Sequence, residues 1–399
     1  MAVYPVKNKV YQTVLDVVKY ALFDVPFDME RVDDWPEVYA EMKRQTIVGL
    51  LWKAEEKIPR HDDEKEKWKR EKYQIISKNL RLLKVQDQTL ELLQAAGIQA
   101  VIIKGAAAAI YYPDPVIRMM GDIDILVEPG RHDDAVSLLR ENGYQIMSQG
   151  GRHTELLKDG VEVEVHVGSL QLLDESRRSE FDALIYGGFA CKQYAAIEGH
   201  RFPMLSTTHN GLVLLNHMQY HIGAGMGLRQ VIDWMEYVYA NLDDGTWENG
   251  FGELADEFGL KSLAVVATKT CKLYLGLPEE TAAWCDGGEE KYCQLLVEDI
   301  LDCGNFGRKK TVSRRIRNFL SRGYGAKDIV VTLQRQGANT WAAAKKNKAA
   351  HSFAWLYQGC AYLKKALVKE KDVRGLLLAF SKGKQRKALM RTLGIQKEK

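Results

Sequence analysis

No stretch of this 399-residue chain approaches the roughly 18 consecutive apolar residues that a membrane-spanning helix needs, so no such segment is expected. The first residues, from Met1 to Lys9, lack the apolar centre of a secretory leader, and none is expected. There is no C-x-x-C pair. The six cysteines (Cys191, Cys271, Cys285, Cys293, Cys303 and Cys360) are scattered, which argues against a disulfide framework and a cysteine zinc site and points to a reducing cytoplasm. No internal repeat is found. What remains is a globular composition, 46% hydrophobic and 27% charged. Its length suits about two to four domains.

Charge is unevenly spread. The formal net charge is +3, yet residues 301–399 hold 24 Lys+Arg against 5 Asp+Glu. That leaves the first 300 residues with 32 basic and 48 acidic side chains. The basic end therefore faces an anionic partner or docks on the acidic body.

Residues 1–98 read as a helical N-terminal region. Val10 to Phe23 has helical apolar spacing ended by Pro26, and an amphipathic helix is expected from Ile75 to Ala96, closed by Gly97. The charge-rich run Glu55–Lys72 reads as a solvated helix surface or loop. Residues 99–200 change character. Gln99–Ile103, Asp122–Val127, Tyr144–Ser148, Thr154–Lys158 and Val161–Val167 read as strands, with helices after Gly105 and over Arg131–Asn142. Such an order makes a compact α/β unit. Residues 201–304 return to helix, at His209–His221, Leu228–Leu242, Leu254–Leu275 and Cys293–Leu301. Between the first two lies Gly223-Ala-Gly-Met-Gly; because it follows a helix and not a strand, it reads as an interhelical turn rather than a nucleotide loop. Residues 305–399 read as a basic helical C-terminal region.

Three local patterns carry chemistry. In Gly121-Asp-Ile-Asp-Ile-Leu-Val, strand alternation points Asp122 and Asp124 one way and Ile123 and Ile125 into the core. Two carboxylates on one short face repel, and cations or donors must neutralise them. Magnesium favours such oxygen ligands. In Val161-Glu-Val-Glu-Val-His-Val, the valines form one face and Glu162, Glu164 and His166 the other. Alone this is a half-solvated strand; beside Asp122 and Asp124, Glu164 becomes a third metal carboxylate. In Ile103-Lys-Gly-Ala, a strand runs through Lys104-Gly105 into a helix, where backbone N–H groups attract phosphate, with Lys104 and Arg118 adding charge.

These residues, with Tyr112-Pro-Asp-Pro, Arg118-Met-Met-Gly-Asp-Ile-Asp-Ile-Leu-Val, His153 and Glu164-Val-His166, resemble the uncharacterised nucleotidyltransferase family of the DNA polymerase beta-like superfamily. The resemblance spans roughly residues 75–240, since His217, His221, Arg229 and Asp233 also look like that family's helical segment. It implies an α+β fold: a minimal nucleotidyltransferase mixed-sheet core with helices, embedded in predominantly helical N- and C-terminal regions. It implies two magnesium (or manganese) ions on Asp122, Asp124 and Glu164, a nucleoside triphosphate near Lys104, Gly105, Arg118, His153 and His166, and release of pyrophosphate by in-line displacement. The wider superfamily usually opens its helix with Gly-Ser or Gly-Gly; here the turn is Lys104-Gly105-Ala106, so phosphate binding rests on backbone N–H groups, Lys104 and the ions.

Other candidates are weaker. His153 and His166 also suit structural hydrogen bonds to carboxylates. His217 and His221, one helical turn apart, face an interdomain interface or line the acceptor side; Met218 stands where a zinc protease needs glutamate. Arg229 and Asp233 are spaced as an i, i+4 ion pair, with a nucleotide- or acceptor-contacting Arg229 as the sharper option. Basic clusters at Arg308, Arg314, Lys345, Lys364 and Lys382, with Trp341, Trp355 and Tyr357 for stacking, fit nucleic acid, solvated helix faces or a membrane surface. The acceptor is a small molecule, a protein or an RNA end. Two rival expectations are an inactive nucleic-acid binder of the same fold and a partner-binding regulator.

Overall fold

The protein was analysed as a computed structural model, which describes residues 6–59, 62–150, 152–168, 175–222, 225–305, 326–369 and 373–395. The expected basic clusters at Arg308 and Arg314 and the start of the Gly223 turn lie outside them.

The chain opens with α1 (Lys9–Phe23), where the Asn8 side chain accepts the Tyr11 N–H and caps the first turn. Next comes α2 (Trp35–Arg44), capped by Asp34 with Pro36 in its first turn. Then α3 (Asp62–Ala95) runs 34 residues, well beyond the start expected at Ile75. The charged run hides the N-terminal part because only Trp68 there is buried; it stacks on Tyr39 with ring centroids 4.2 Å apart. Glu71, one turn on, accepts from the Tyr39 hydroxyl at 2.6 Å and from Lys43 at 2.8 Å.

A seven-stranded mixed sheet follows, in the order β3-β4-β5-β2-β1-β7-β6. Its strands are β1 (Ala100–Ile103), β2 (Ile123–Val127), β3 (Gln145–Gly150), β4 (His153–Lys158), β5 (Val161–His166), β6 (Gln193–Ile197) and β7 (His200–Met204). The five expected strands are present, and the α+β class is the observed one. The β6–β7 hairpin is an addition to the expected set. Its turn, Glu198-Gly199, has positive φ at both residues, as a two-residue hairpin loop requires. β7 joins the sheet parallel to β1.

The two sheet faces bury different things. Ile102, Ile123, Ile125, Val163 and Val165 pack with Leu82, Leu83 and Leu93 of α3 and with Ala135 and Leu139 of α5 (His132–Glu141). Each such aliphatic side chain contributes about 1.5–3 kcal/mol by leaving water. On the opposite face Val101, Ile103 and Leu126 join the larger helical core. That core includes α7 (Thr207–Ile222), α8 (Leu228–Asn241) and the helices Lys261–Leu275 and Glu290–Cys303. The single helix expected over Leu254–Leu275 is two, Gly252–Glu257 and Lys261–Leu275, because Gly259 takes φ +67 between them. No helix of the described residues is long and apolar enough to cross a membrane.

One buried acid in this core has a measurable consequence. Glu236 on α8 is 2% exposed, its Oε1 lacks a hydrogen-bond partner, and burial, then the Asp233 charge, pushes it up to about 8. A carboxyl raised above its unfolded value stabilises the fold while protonated, and that stability is lost as pH rises through the folded value. Denaturant unfolding should therefore weaken by on the order of 3 kcal/mol between pH 5 and 8. Glu236→Gln should flatten the profile and be the more stable protein at pH 8; an unchanged slope would show that another group sets it.

Candidate functional site

Strand pairing brings the acids together. β2 and β5 run parallel with Asp124 beside Glu164, and β5 and β4 run antiparallel with Glu164 beside Glu155. Paired residues share a face, so three carboxylates form a row across three adjacent strands. Asp122 lies one alternation before Asp124, just outside β2 and half-buried. Ile123, Ile125, Val163 and Val165 are buried on the other face, as the alternation requires. Val167, expected with the valines, lies past the end of β5 and is 43% exposed.

Cations and imidazoles meet this row. The Lys104 ammonium, 6% exposed, donates to Asp124 Oδ1. The same oxygen lies 2.9 Å from His166 Nε2, which is also 3.2 Å from Glu164 Oε2. His153 Nε2 lies 3.3 Å from Glu155 Oε1 and 3.9 Å from Glu164 Oε1. Burial alone would raise Asp124; Lys104 and the His166 hydrogen bond outweigh it and hold the carboxyl far below the usual range. Lys104 stays raised for the reciprocal reason, as burial is outweighed by Asp124 and Glu164. Among the described residues Asp122 has no such partner: burial, then the Asp124 charge, pushes it up to about 6 against the pull of Lys104.

Lys104 has φ 54 and ψ −131, a conformation that costs a non-glycine residue roughly 1–3 kcal/mol and persists only where its surroundings hold it. The buried bond to Asp124 is that hold. Gly105 follows at φ +21, and a Cβ there would meet the Asp122 carbonyl oxygen at 3.4 Å. The turn thus lies against the Asp122 backbone. The helix it opens, α4 (Gly105–Ala109), has only five residues, so it offers little dipole.

Arg118 is placed differently from expectation. It forms a two-pronged pair with Asp233 on α8, Nε to Oδ1 and Nη2 to Oδ2 at 2.7 Å each, with both side chains buried. The Tyr112 hydroxyl donates to the same carboxylate at 2.8 Å. Burial would lower the guanidinium, but Asp233 outweighs it and raises it. The third nitrogen, Nη1, is buried without a hydrogen-bond partner among the described residues. Asp233 was expected to pair with Arg229. Instead, Arg118 and Tyr112 hold its oxygens, and Arg229 Nη1 donates to the Met119 carbonyl at 3.1 Å.

All of this surrounds one cavity of about 400 Å³. Every expected site residue lines it except His166, which lies beneath Asp124 and Glu164 at 1% exposure. From α7 come His217 and His221, with ring centroids 4.4 Å apart and edge to face. Burial, then Lys104 and Arg229, pushes His221 down to about 4. Burial, His221 and Lys104 hold His217 well below its ordinary value. Both are neutral imidazoles at neutral pH, able to accept a hydrogen bond. The sequence reading missed Arg152, Glu155 and Tyr220, which also line the cavity. Glu155 had a signal, since His153-x-Glu155 alternates onto the face of Glu164.

Among the described residues, ligand atoms converge within 4.8 Å in two sets, His153 with Glu164 and His166, and Glu155 with Glu162 and Glu164. Asp122 and Asp124 belong to neither. The expected trio of Asp122, Asp124 and Glu164 shares the cavity, with Lys104 seated on Asp124.

No curated protein matches the chain. A solved structure described as an antigenic nucleotidyltransferase-like protein from Paracoccidioides brasiliensis is 17% identical at a TM-score of 0.30, over 46% of this chain and 91% of that one. The sequence model of the family described as "Uncharacterised nucleotidyltransferase" matches residues 32–276, more than half the chain, and the chain belongs to that family.

Proposed function

We propose that this protein transfers a nucleoside monophosphate from a nucleoside triphosphate to a hydroxyl acceptor, releasing pyrophosphate. The observation that carries this reading is the row Asp124, Glu164 and Glu155 with Asp122 beside it, in one cavity with Lys104, Arg118 and Arg229. The chemistry of the donor set fits divalent ions. Carboxylate oxygens are the donors magnesium and manganese prefer, and burial, then the Asp124 charge, makes the ionised Asp122 costly without a cation to meet it. Asp122, Asp124 and Glu164 would hold them. Bound there, the ions would neutralise the triphosphate and acidify the acceptor hydroxyl.

The chain's own residues supply the rest. The free Nη1 of Arg118, with Lys104, offers positive charge to the phosphates. Gly105 lets the backbone approach them. Glu164 accepts the acceptor's proton as the acceptor oxygen bonds to the α-phosphorus and the bond to the bridging oxygen of pyrophosphate breaks. His153 and His166 orient the Glu164 and Asp124 carboxylates. His217, His221 and Arg229 form the acceptor side. The six cysteines are thiols rather than disulfides, which suits a cytoplasmic setting.

One observation favours a second reading. Lys104 already neutralises Asp124, as it would in a fold that binds without catalysing. Incubating the protein with each labelled triphosphate, magnesium and cell extract separates the two. Label should pass to one acceptor class, identified as small molecule, protein or RNA, and Asp122→Asn/Asp124→Asn should abolish it. No label from any triphosphate, with no thermal shift on adding magnesium or manganese, favours the idle fold.

A further inference from the structure

We propose that the helical segment of residues 330–368 binds the surface of an anionic lipid bilayer. The inference is independent of nucleotide transfer and rests on a surface far along the chain from the cavity residues.

The segment is built around the helices Ala326–Thr340 and Ala354–Lys364. They meet closely: a Cβ on Gly337 would lie 2.0 Å from the Ala354 carbonyl oxygen. Polar contacts fix the pairing, with Thr340 Oγ1 donating to Gln358 at 2.9 Å and the Tyr362 hydroxyl to Gln336 at 2.7 Å. Gly337, Thr340, Ala354 and Gln358 thus lie in the inner contact, and most of the large apolar residues are left outside.

That outer surface is unusual for this protein. Of the eighteen exposed large hydrophobic residues among those described, nine lie between Val330 and Val368. Phe353 is 59% exposed, Leu356 49% and Leu363 52%. At i, i+3 and i+10 they fall on one helical stripe, which Leu367, 48% exposed, extends. The charge is of one sign. Arg335, Lys345, Lys346, Lys348, Lys364 and Lys365 lie in this span, and it contains no Asp or Glu. Lys345, Lys346, Lys348 and Lys364 are exposed.

A partner must therefore be anionic at its surface and apolar just beneath it, which describes the interface of an anionic bilayer. Nucleic acid matches the lysines but not the leucines. Its aromatic platform is also partly spent, because Trp341 and Tyr357 stack on each other at 4.7 Å and 4°. A second copy would bring the same positive face and be repelled.

The test uses the full chain and vesicles of phosphatidylcholine with or without phosphatidylglycerol, read by flotation. Adding the anionic lipid should tighten binding by about thirtyfold, from two or so engaged lysines, and salt should weaken it. Leu356→Glu/Leu363→Glu, at exposed positions, should reduce binding by at least about tenfold with unchanged circular dichroism and melting. Lys345→Glu/Lys346→Glu/Lys348→Glu should remove the preference for phosphatidylglycerol; should the leucine variant misfold, this second variant carries the test. Absent binding, or equal binding to both vesicles, overturns the proposal. Binding of single-stranded RNA that the lysine variant loses and the leucine variant keeps, without vesicle binding, assigns the surface to nucleic acid. Self-association that the leucine variant abolishes, again without vesicle binding, assigns it to a second copy.

Discussion

Replacing Asp122 by asparagine is expected to lower kcat/KM for nucleotidyl transfer by at least about a thousandfold while making the metal-free protein more stable. The two effects have one cause. Burial, then the charges of Asp124 and Glu164, outweigh the pull of Lys104 and Arg229, so the ionised Asp122 costs free energy that a bound ion would relieve. Losing a carboxylate that would hold a divalent ion against the phosphates forfeits several kcal/mol of transition-state stabilisation. For stability the sign runs the other way. The carboxyl is raised from the ordinary carboxylate range to about 6, so its favourable contribution is complete below about pH 4 and lost as pH rises through about 6. At pH 7.5 asparagine removes the cost, a gain of roughly 1–2 kcal/mol after allowing for partial exposure. Urea unfolding in EDTA and labelled transfer with magnesium read the two quantities separately. A variant that keeps its activity, or loses stability along with it, refutes this role.

Asp233→Asn should destabilise the protein by about 3–5 kcal/mol, because it leaves a buried guanidinium without its counter-charge. Asp233 accepts from Arg118 Nε, Arg118 Nη2 and the Tyr112 hydroxyl, all buried. Asparagine keeps the volume and loses the charge and one acceptor, so packing does not explain the loss. Guanidinium titration of both proteins measures it, and a difference below about 1 kcal/mol would mean that the pair is solvated in solution. The bond also fixes the direction of Arg118 Nη1. The residual activity of Asp233→Asn, assayed well below its melting temperature, should therefore show a raised KM for the triphosphate.

How much of this could be read beforehand follows from the range of each interaction. The β5 strand was legible because Val161, Val163 and Val165 alternate strictly with Glu162, Glu164 and His166, and period two has one structural meaning. The same holds for Asp122-Ile-Asp124. The opening of α3 was hidden because charged residues carry its exposed turns and Trp68 alone is buried there. The β6–β7 hairpin was missed because Ala195, Ala196 and Pro203 are poor strand formers, and the strands exist through pairing with β1. The Arg118–Asp233 pair spans 115 positions, and no local spacing announces it. The local rule pointed to Arg229, four residues from Asp233, and long-range geometry gave that carboxylate to Arg118 instead. Lys104 was legible as a cation near the acids, but its seat on Asp124 depends on β1 lying antiparallel to β2, with Ile103 beside Asp124.

That seat has a consequence for handling the protein. Because an internal ammonium already balances the most buried acid of the row, folding needs no dication, and chelator should leave the circular dichroism spectrum untouched. Any ion reaching Asp124 must first evict a tethered competitor. Titrations without nucleotide should accordingly report weak apparent affinity, and triphosphate, by offering the evicted lysine a new counter-ion, should sharpen it.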